Sequence, residues 1–217
     1  VVGAGSFGTT VASLLAHNCR VVMYSRQEQV VERINVEHEH LGYSLDPGIR
    51  ATRSLEELCA QAHLIFPIVP SENFRETCVA MSPHLTPAHI LIHGTKGLDV
   101  AGIRMSELPQ VNISRKNVHT MSEVIRQETS VLRVGCLAGP NLYKEIMARQ
   151  PAASVIASEY DEVIKTGSEV LASRYFFVFG SYDLLGAEMA GALKNIIALG
   201  AGMLAGKGMG KNLEALL

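Results

Sequence analysis

The stretch Val1-Val2-Gly3-Ala4-Gly5-Ser6-Phe7-Gly8 decides the fold. Two apolar residues, the stub of a strand, run into G-x-G-x-x-G and then into a helical pattern over residues 9–17. In such a turn Gly3 permits the tight passage from strand to helix. Gly5 lets a pyrophosphate come up to the backbone, and Gly8 lets the helix pack on the strand. The helix N-terminus then offers free N–H groups and a partial positive charge to the phosphates. The motif alone is weak. Its context strengthens it, because a second strand, residues 20–25, follows at the distance of a βαβ unit. A dinucleotide site is expected here.

The end of that second strand bears on which dinucleotide. An Asp or Glu normally stands there, about 20 residues beyond the glycines, to accept hydrogen bonds from the NAD ribose, whereas a nearby Arg accommodates the NADP 2′-phosphate. This chain has Tyr24-Ser25-Arg26, with no carboxylate until Glu28. Arg26 permits NADP and leaves NAD open.

Further along, strand-like and helical runs alternate. A helix is expected over 27–40, a short strand near 49–51, and a helix over 55–61 capped by Ser54. Residues 63–69 read as a strand in which Pro67 marks an irregular or edge position. Ser71 can cap the helix that follows. Strands over 88–93, 131–138, 152–157 and 175–179 alternate with helices over 121–128, 142–149 and 161–173. Residues 101–117 are polar and poorly periodic and read as a surface excursion. The pattern is that of an α/β, doubly wound, Rossmann-like sheet covered by helices. From Asp183 onward only helical pattern remains, so a domain boundary is expected near 181–183. A dinucleotide-binding domain would occupy 1–182, and an all-helical domain would begin at 183 and be incomplete at 217.

Three loops lie where an open α/β sheet holds its ligands, beyond the carboxyl ends of strands. They are Val69-Pro70-Ser71, Gly94-Thr95-Lys96-Gly97 and Gly139-Pro140-Asn141. Lys96, between two glycines, can meet an anion. Lys194 stands in an almost wholly small and apolar run from Gly186 to Gly202. An ammonium buried unpaired costs several kcal/mol or gives up its proton. A helix this apolar is expected to be packed on most sides, so Lys194 should face a cleft, a partner or a substrate. The run from Met189 to Ala205 is long enough to raise the question of a membrane span. Lys194, Asn195 and the many glycines point instead to a buried helix of a soluble protein, without membrane insertion.

Composition narrows the classes. The 217 residues are 47% hydrophobic and 18% charged, with net charge −2, which suits one or two globular domains and not a nucleic-acid surface. Cys19, Cys59, Cys78 and Cys136 have neither disulfide-framework nor zinc spacing and fit a reducing cytoplasm. The eight histidines form no metal pattern. His63, His84, His89 and His93 read as surface or locally hydrogen-bonded residues.

Taken together, the segments resemble NAD(P)-dependent glycerol-3-phosphate dehydrogenase of the bacterial type. The match runs in order through Gly3-Ala-Gly-Ser-Phe-Gly-Thr9, Val69-Pro-Ser71, Thr95-Lys-Gly97, Met121-Ser-Glu-Val-Ile125, Gly139-Pro-Asn141, Gly191-Ala-Leu-Lys-Asn195 and Gly206-Lys-Gly-Met-Gly-Lys-Asn212. The first motif is shared by many dehydrogenases, and the later series is much more specific. The resemblance implies conversion between sn-glycerol 3-phosphate and dihydroxyacetone phosphate with NADP or NAD, feeding phospholipid synthesis. Substrate would lie between the two domains, and a homodimer is expected. It implies Lys194 as proton acceptor and Lys96 as a lysine shared by cofactor and substrate. It makes Gly139 and Asn141 the substrate loop, and Ser6, Phe7 and Arg26 cofactor contacts. Lys211 stands where the family usually has aspartate, and Ala138 where it often has serine. The family's Arg-Asn pair that grips the substrate phosphate would lie beyond 217. Two other readings remain open: a two-domain dehydrogenase of the 3-hydroxy acid or 6-phosphogluconate type, and a nucleotide-binding module without turnover.

Overall fold

The computed structural model describes residues 1–100 and 114–216. The glycine turn leads into α1 (Ser6–Leu15) and then β1 (Val21–Tyr24). A short helix, α2 (Glu28–Glu32), passes into a wider turn of helix, Arg33–Glu37. It stops at His38, which takes the left-handed conformation at φ 51°. The helix expected over 27–40 is therefore shorter. Its last residues form instead a hairpin of β2 (Glu39–His40) and β3 (Tyr43–Ser44). Next come β4 (Ile49–Thr52), α3 (Leu55–Gln61), β5 (Leu64–Ile65), α4 (Phe74–Met81) and β6 (Ile90–His93). Beyond the Lys96 loop, β7 (Asp99–Val100) pairs with β8 (Val118–His119), followed by α5 (Met121–Glu128) and β9 (Arg133–Ala138). The alternation closes with α6 (Tyr143–Met147), β10 (Ala152–Ser158), α7 (Asp161–Leu171) and β11 (Phe176–Ser181). Two helices remain, α8 (Leu184–Gly206) and α9 (Lys211–Glu214). Most of the expected excursion over 101–117 lies outside the described residues; its end, Arg115–Asn117, is a single turn of helix boxed by Ser114.

The first two residues join the sheet together. Tyr24 N–H donates to the Val1 carbonyl at 2.8 Å on one side, and Val2 N–H to the Phe66 carbonyl at 2.8 Å on the other. This links the β1–β4 pair to the sheet β11-β10-β9-β6-β5. The order is β4, β1, the Val1–Val2 segment, β5, β6, β9, β10, β11. The pairs are parallel except β9 with β10. Strand order therefore reverses between Val2 and β5, and an open α/β sheet opens its ligand crevice at that point. Pro67 sits at this centre and not at an edge. Its carbonyl accepts from Gly94 N–H at 3.1 Å, and its missing N–H cuts the ladder short after Ile65.

Strand residues alternate between two cores, as the period of 2 requires. Val1, Phe66, Ile90 and Ile92 pack with α1, α6 and α7, while Val2, Ile65 and Leu91 pack with α3, α4 and α5. Ser54 caps α3 by accepting from Glu57 N–H at 3.1 Å. Ser71 does not cap α4. It lies inside a single helical turn, Ser71–Asn73, which precedes α4 and consumes the expected cap position. α8 begins after Asp183, whose carboxylate accepts from Gly186 N–H at 2.8 Å. It packs on β9 and β10 through Leu184 and Ala187, against Cys136, Ala157 and Val155. The expectation that α8 is buried on most sides fails. Only Leu184 and Glu188 of its 23 residues are buried, because nothing among the described residues covers the helix beyond its first turns. By length and composition alone α8 could cross a membrane.

Candidate functional site

The glycine turn is shaped by contact distances. Gly3 has φ 113°, and a Cβ on it would stand 2.2 Å from the Ile68 carbonyl oxygen. A Cβ on Gly8 would stand 2.0 Å from the Gly3 carbonyl oxygen. Neither position accepts a larger residue without moving backbone. A Cβ on Gly5 would meet nothing within 4 Å, so the turn opens to a ligand there. No side chain caps α1, which leaves the first N–H groups of a ten-residue helix free for an anion. His40 holds the turn from outside. Its Nε2 lies 2.8 Å from the Ala4 carbonyl; a carbonyl only accepts, so Nε2 carries the proton.

Three cavities follow the sheet's carboxyl ends. A cleft of about 540 Å³ runs from Gly3 and Gly5 past Ser25 and Arg26 to His40. The next, of about 350 Å³, is walled by Gly5, Phe7, Ser71, Thr95, Lys96 and Asn141. A third, of about 520 Å³, is walled by Lys96, Gly139, Asp183, Ala187, Gly191 and Lys194. Gly5 borders the first two and Lys96 the last two, so they form one trough. Its first part lies beyond the glycine turn and the end of β1, where an open α/β sheet receives a dinucleotide. Arg26 stands there exposed, and Ser6 opens α1 at the border. Phe7 lies in the middle part.

Lys96 is set by its neighbours. Thr95 Oγ1 donates to the Val69 carbonyl at 2.7 Å, which ties the loop after β6 to the loop after β5. Lys96 Nζ donates to the Gly139 carbonyl at 3.1 Å. Partial burial of the amine, and then the positive charge of Lys194, hold the Lys96 ammonium below the ordinary lysine value. Asn141 is oriented by Ser154 Oγ, which donates to its Oδ1. Its Nδ2 is buried with no hydrogen-bond partner among the described residues, a donor free for a ligand oxygen.

Lys96, Gly139 and Lys194 thus share one cavity, with Asn141 on the adjoining wall. Lys194 lines this cavity and is itself exposed, because the helix around it is not packed on most sides as expected. The buried charge on α8 is Glu188. Its carboxylate accepts from Ser122 N–H at 2.8 Å and from Ser122 Oγ at 2.5 Å. His93 Nε2 lies 2.9 Å from Oε1. Burial would raise the Glu188 carboxyl, but His93 and the two Ser122 hydrogen bonds outweigh it and hold the group below the ordinary carboxylate value. His93 is correspondingly not a surface residue; it is 1% exposed. Sequence reasoning passed over this pair. The signals were there: a histidine closing the apolar strand Ile90-Leu91-Ile92, and the lone carboxylate of an apolar helix.

Comparison with known proteins bears on the family and the fold. The family model described as NAD-dependent glycerol-3-phosphate dehydrogenase N-terminus matches residues 1–164, and its C-terminus counterpart matches residues 183–217. A curated relative from Saccharophagus degradans, named glycerol-3-phosphate dehydrogenase (NAD(P)+), is 37% identical over 100% of this chain and 58% of its own length. One of the same name from Teredinibacter turnerae is 36% identical over 100% of this chain and 61% of its own. The crystal structure of glycerol-3-phosphate dehydrogenase from Coxiella burnetii superposes with TM-score 0.80 at 26% identity, over 99% of this chain and 63% of that one. The Saccharomyces cerevisiae enzyme, at 24% identity and TM-score 0.85 over 99% of this chain and 65% of its own, shares the fold. The chain spans about three fifths of the length of the curated relatives it matches.

Proposed function

This chain belongs to the NAD-dependent glycerol-3-phosphate dehydrogenase family, and on that premise we propose that it interconverts sn-glycerol 3-phosphate and dihydroxyacetone phosphate with NADP or NAD, feeding glycerophospholipid synthesis. The observation that carries this reading is the convergence of Lys96, Gly139 and Lys194 on one cavity that continues from the glycine turn. When bound, the nicotinamide group supplies the hydride or takes it up. The residues of the chain manage charge and protons around it. Protonated Lys194 stabilises the oxygen that gains negative charge during reduction and donates its proton there; in oxidation neutral Lys194 accepts the proton. Lys96 brings positive charge to the border between cofactor and substrate. Asn141 offers its free Nδ2, and the Gly139 loop shapes the substrate side. Gly3, Gly5, Ser6, Phe7 and Gly8 cradle the dinucleotide, and Arg26 faces its adenosine end.

In this reading residues 1–182 form the dinucleotide domain and 183–217 open a helical substrate domain, with α8 a helix of that domain and not a membrane span. Its polar centre at Lys194 and Asn195 favours this. A cytoplasmic location fits four cysteines that are free of disulfides. The assembly is read as a homodimer, which light scattering of the intact protein checks. The decisive test is steady-state oxidation of NADPH and NADH with dihydroxyacetone phosphate by a protein that carries this chain at the full length of its relatives. Turnover of a 3-hydroxy acid or 6-phosphogluconate in its place, or cofactor binding with no turnover, would overturn the assignment.

A further inference from the structure

Glu188 is a buried charge that the reaction itself does not use. On α8 only Leu184 and Glu188 are buried, and every described residue of the helix beyond Glu188 is partly or fully exposed. A leucine or methionine would fill the space without the cost of desolvating a carboxylate. What the carboxylate adds is direction. Apolar contact is non-directional, whereas Glu188 accepts two hydrogen bonds from Ser122 on α5, and His93 Nε2 at the end of β6 stands 2.9 Å from its Oε1 outside hydrogen-bond geometry. His93 stands three residues before Lys96. Glu188, Gly191 and Lys194 follow one another at a spacing of three, so they lie along one ridge of the helix. At Gly191 the helix runs close to Lys96, where an added Cβ would lie 3.8 Å from the Lys96 Cγ.

We propose that Glu188 is a positioning residue that fixes the rotation and height of α8 on the sheet, so that Lys194 meets the cavity bordered by Lys96. The inference rests on the proposed reaction of Lys194. A misplacement of about 1 Å at a reacting group can cost about 10²-fold in rate, so the anchor acts on turnover and leaves the dinucleotide cradle alone.

The test is a double-mutant cycle in the intact protein. Glu188→Ala should lower kcat about tenfold or more while the Kd for NADPH stays within about twofold. In a Lys194→Ala background the same change should have almost no further effect, because a positioning residue acts through the group it positions. Should Glu188→Ala fold poorly, Ser122→Ala removes one of the three contacts and should give a smaller loss with the same dependence on Lys194. Equal losses in both backgrounds, parallel loss of NADPH binding, or unchanged kcat would overturn the anchor. Absence of turnover in the wild type would instead overturn the reaction. The anchor is then read by amide hydrogen exchange in α8 between Glu188 and Lys194, which Glu188→Ala should accelerate and which an idle Glu188 would leave unchanged.

Discussion

At the residue scale, the two charges of α8 stand in opposite settings: the Glu188 carboxylate is buried and the Lys194 ammonium faces open cavity. Lys194 is nonetheless the cation that meets Lys96 and Gly139. Lys194→Ala should lower turnover by at least about 10²-fold with cofactor binding retained, since general acid–base groups contribute about 10²–10⁴; near-normal turnover would remove Lys194 from the mechanism. Arg26→Ala should weaken NADPH more than NADH, because Arg26 stands where a ribose-binding carboxylate is usual. Equal weakening would mean that it does not read the 2′-phosphate. Lys96 carries a pH signature. Its folded value is lowered by partial burial and then by Lys194, so the folded chain releases this proton at lower pH than the unfolded chain. The shift costs stability below the lowered value, and the cost disappears as pH rises toward the unfolded value. Affinity for an anion held by Lys96 should fall over the same rise, and Lys96→Arg, which stays charged, should flatten the fall. A wild-type titration that stays flat up to the ordinary lysine range would exclude Lys96 from the grip.

At the element scale, α5 is a presenting device. Thr120 and Glu123 close a capping box, with Thr120 N–H donating to Glu123 Oε2 at 2.9 Å, and this squares the first turn that carries Ser122 to Glu188. Thr120→Ala should cost about 1 kcal/mol in chemical denaturation and weaken the Ser122 contacts with it; an unchanged midpoint would show that the cap is idle. Such local devices were legible in advance wherever side chain and neighbouring backbone suffice. Ser54 and the bounds of α3 and α5 are of that kind. Ser71 was not, since a further helical turn intervenes before α4. Nor was the early stop of α2, which depends on His38 taking a left-handed conformation that the hairpin after it requires. Pro67 reads as an interruption, but its central position follows from Val2 pairing beside it.

At the scale of the whole molecule, the exposed face of α8 is the largest consequence of the architecture. Leu193, Ile196, Ile197, Leu199 and Met203 are 41% to 68% exposed. Residues 1–217 produced alone should bind the dinucleotide through the turn at Gly3–Gly8, yet bind an apolar dye and aggregate, and should fail to turn over dihydroxyacetone phosphate. Full activity from that polypeptide would mean that the substrate site is complete within it. The sequence by itself determined the strand–turn–helix at the first glycines, the alternation of strands and helices, the loops that carry Lys96 and Asn141, and the apolar helix of Lys194. Each rests on periodicity, steric demand or a short motif, which act over a few residues. Only the tertiary structure decided that Val1–Val2 joins two sheets into one, that Lys96 reaches Gly139 across 43 residues of chain, and that Glu188 is buried against Ser122 across 66. Burial and pairing of a charge depend on what packs against it, and residues remote in the chain supply that packing.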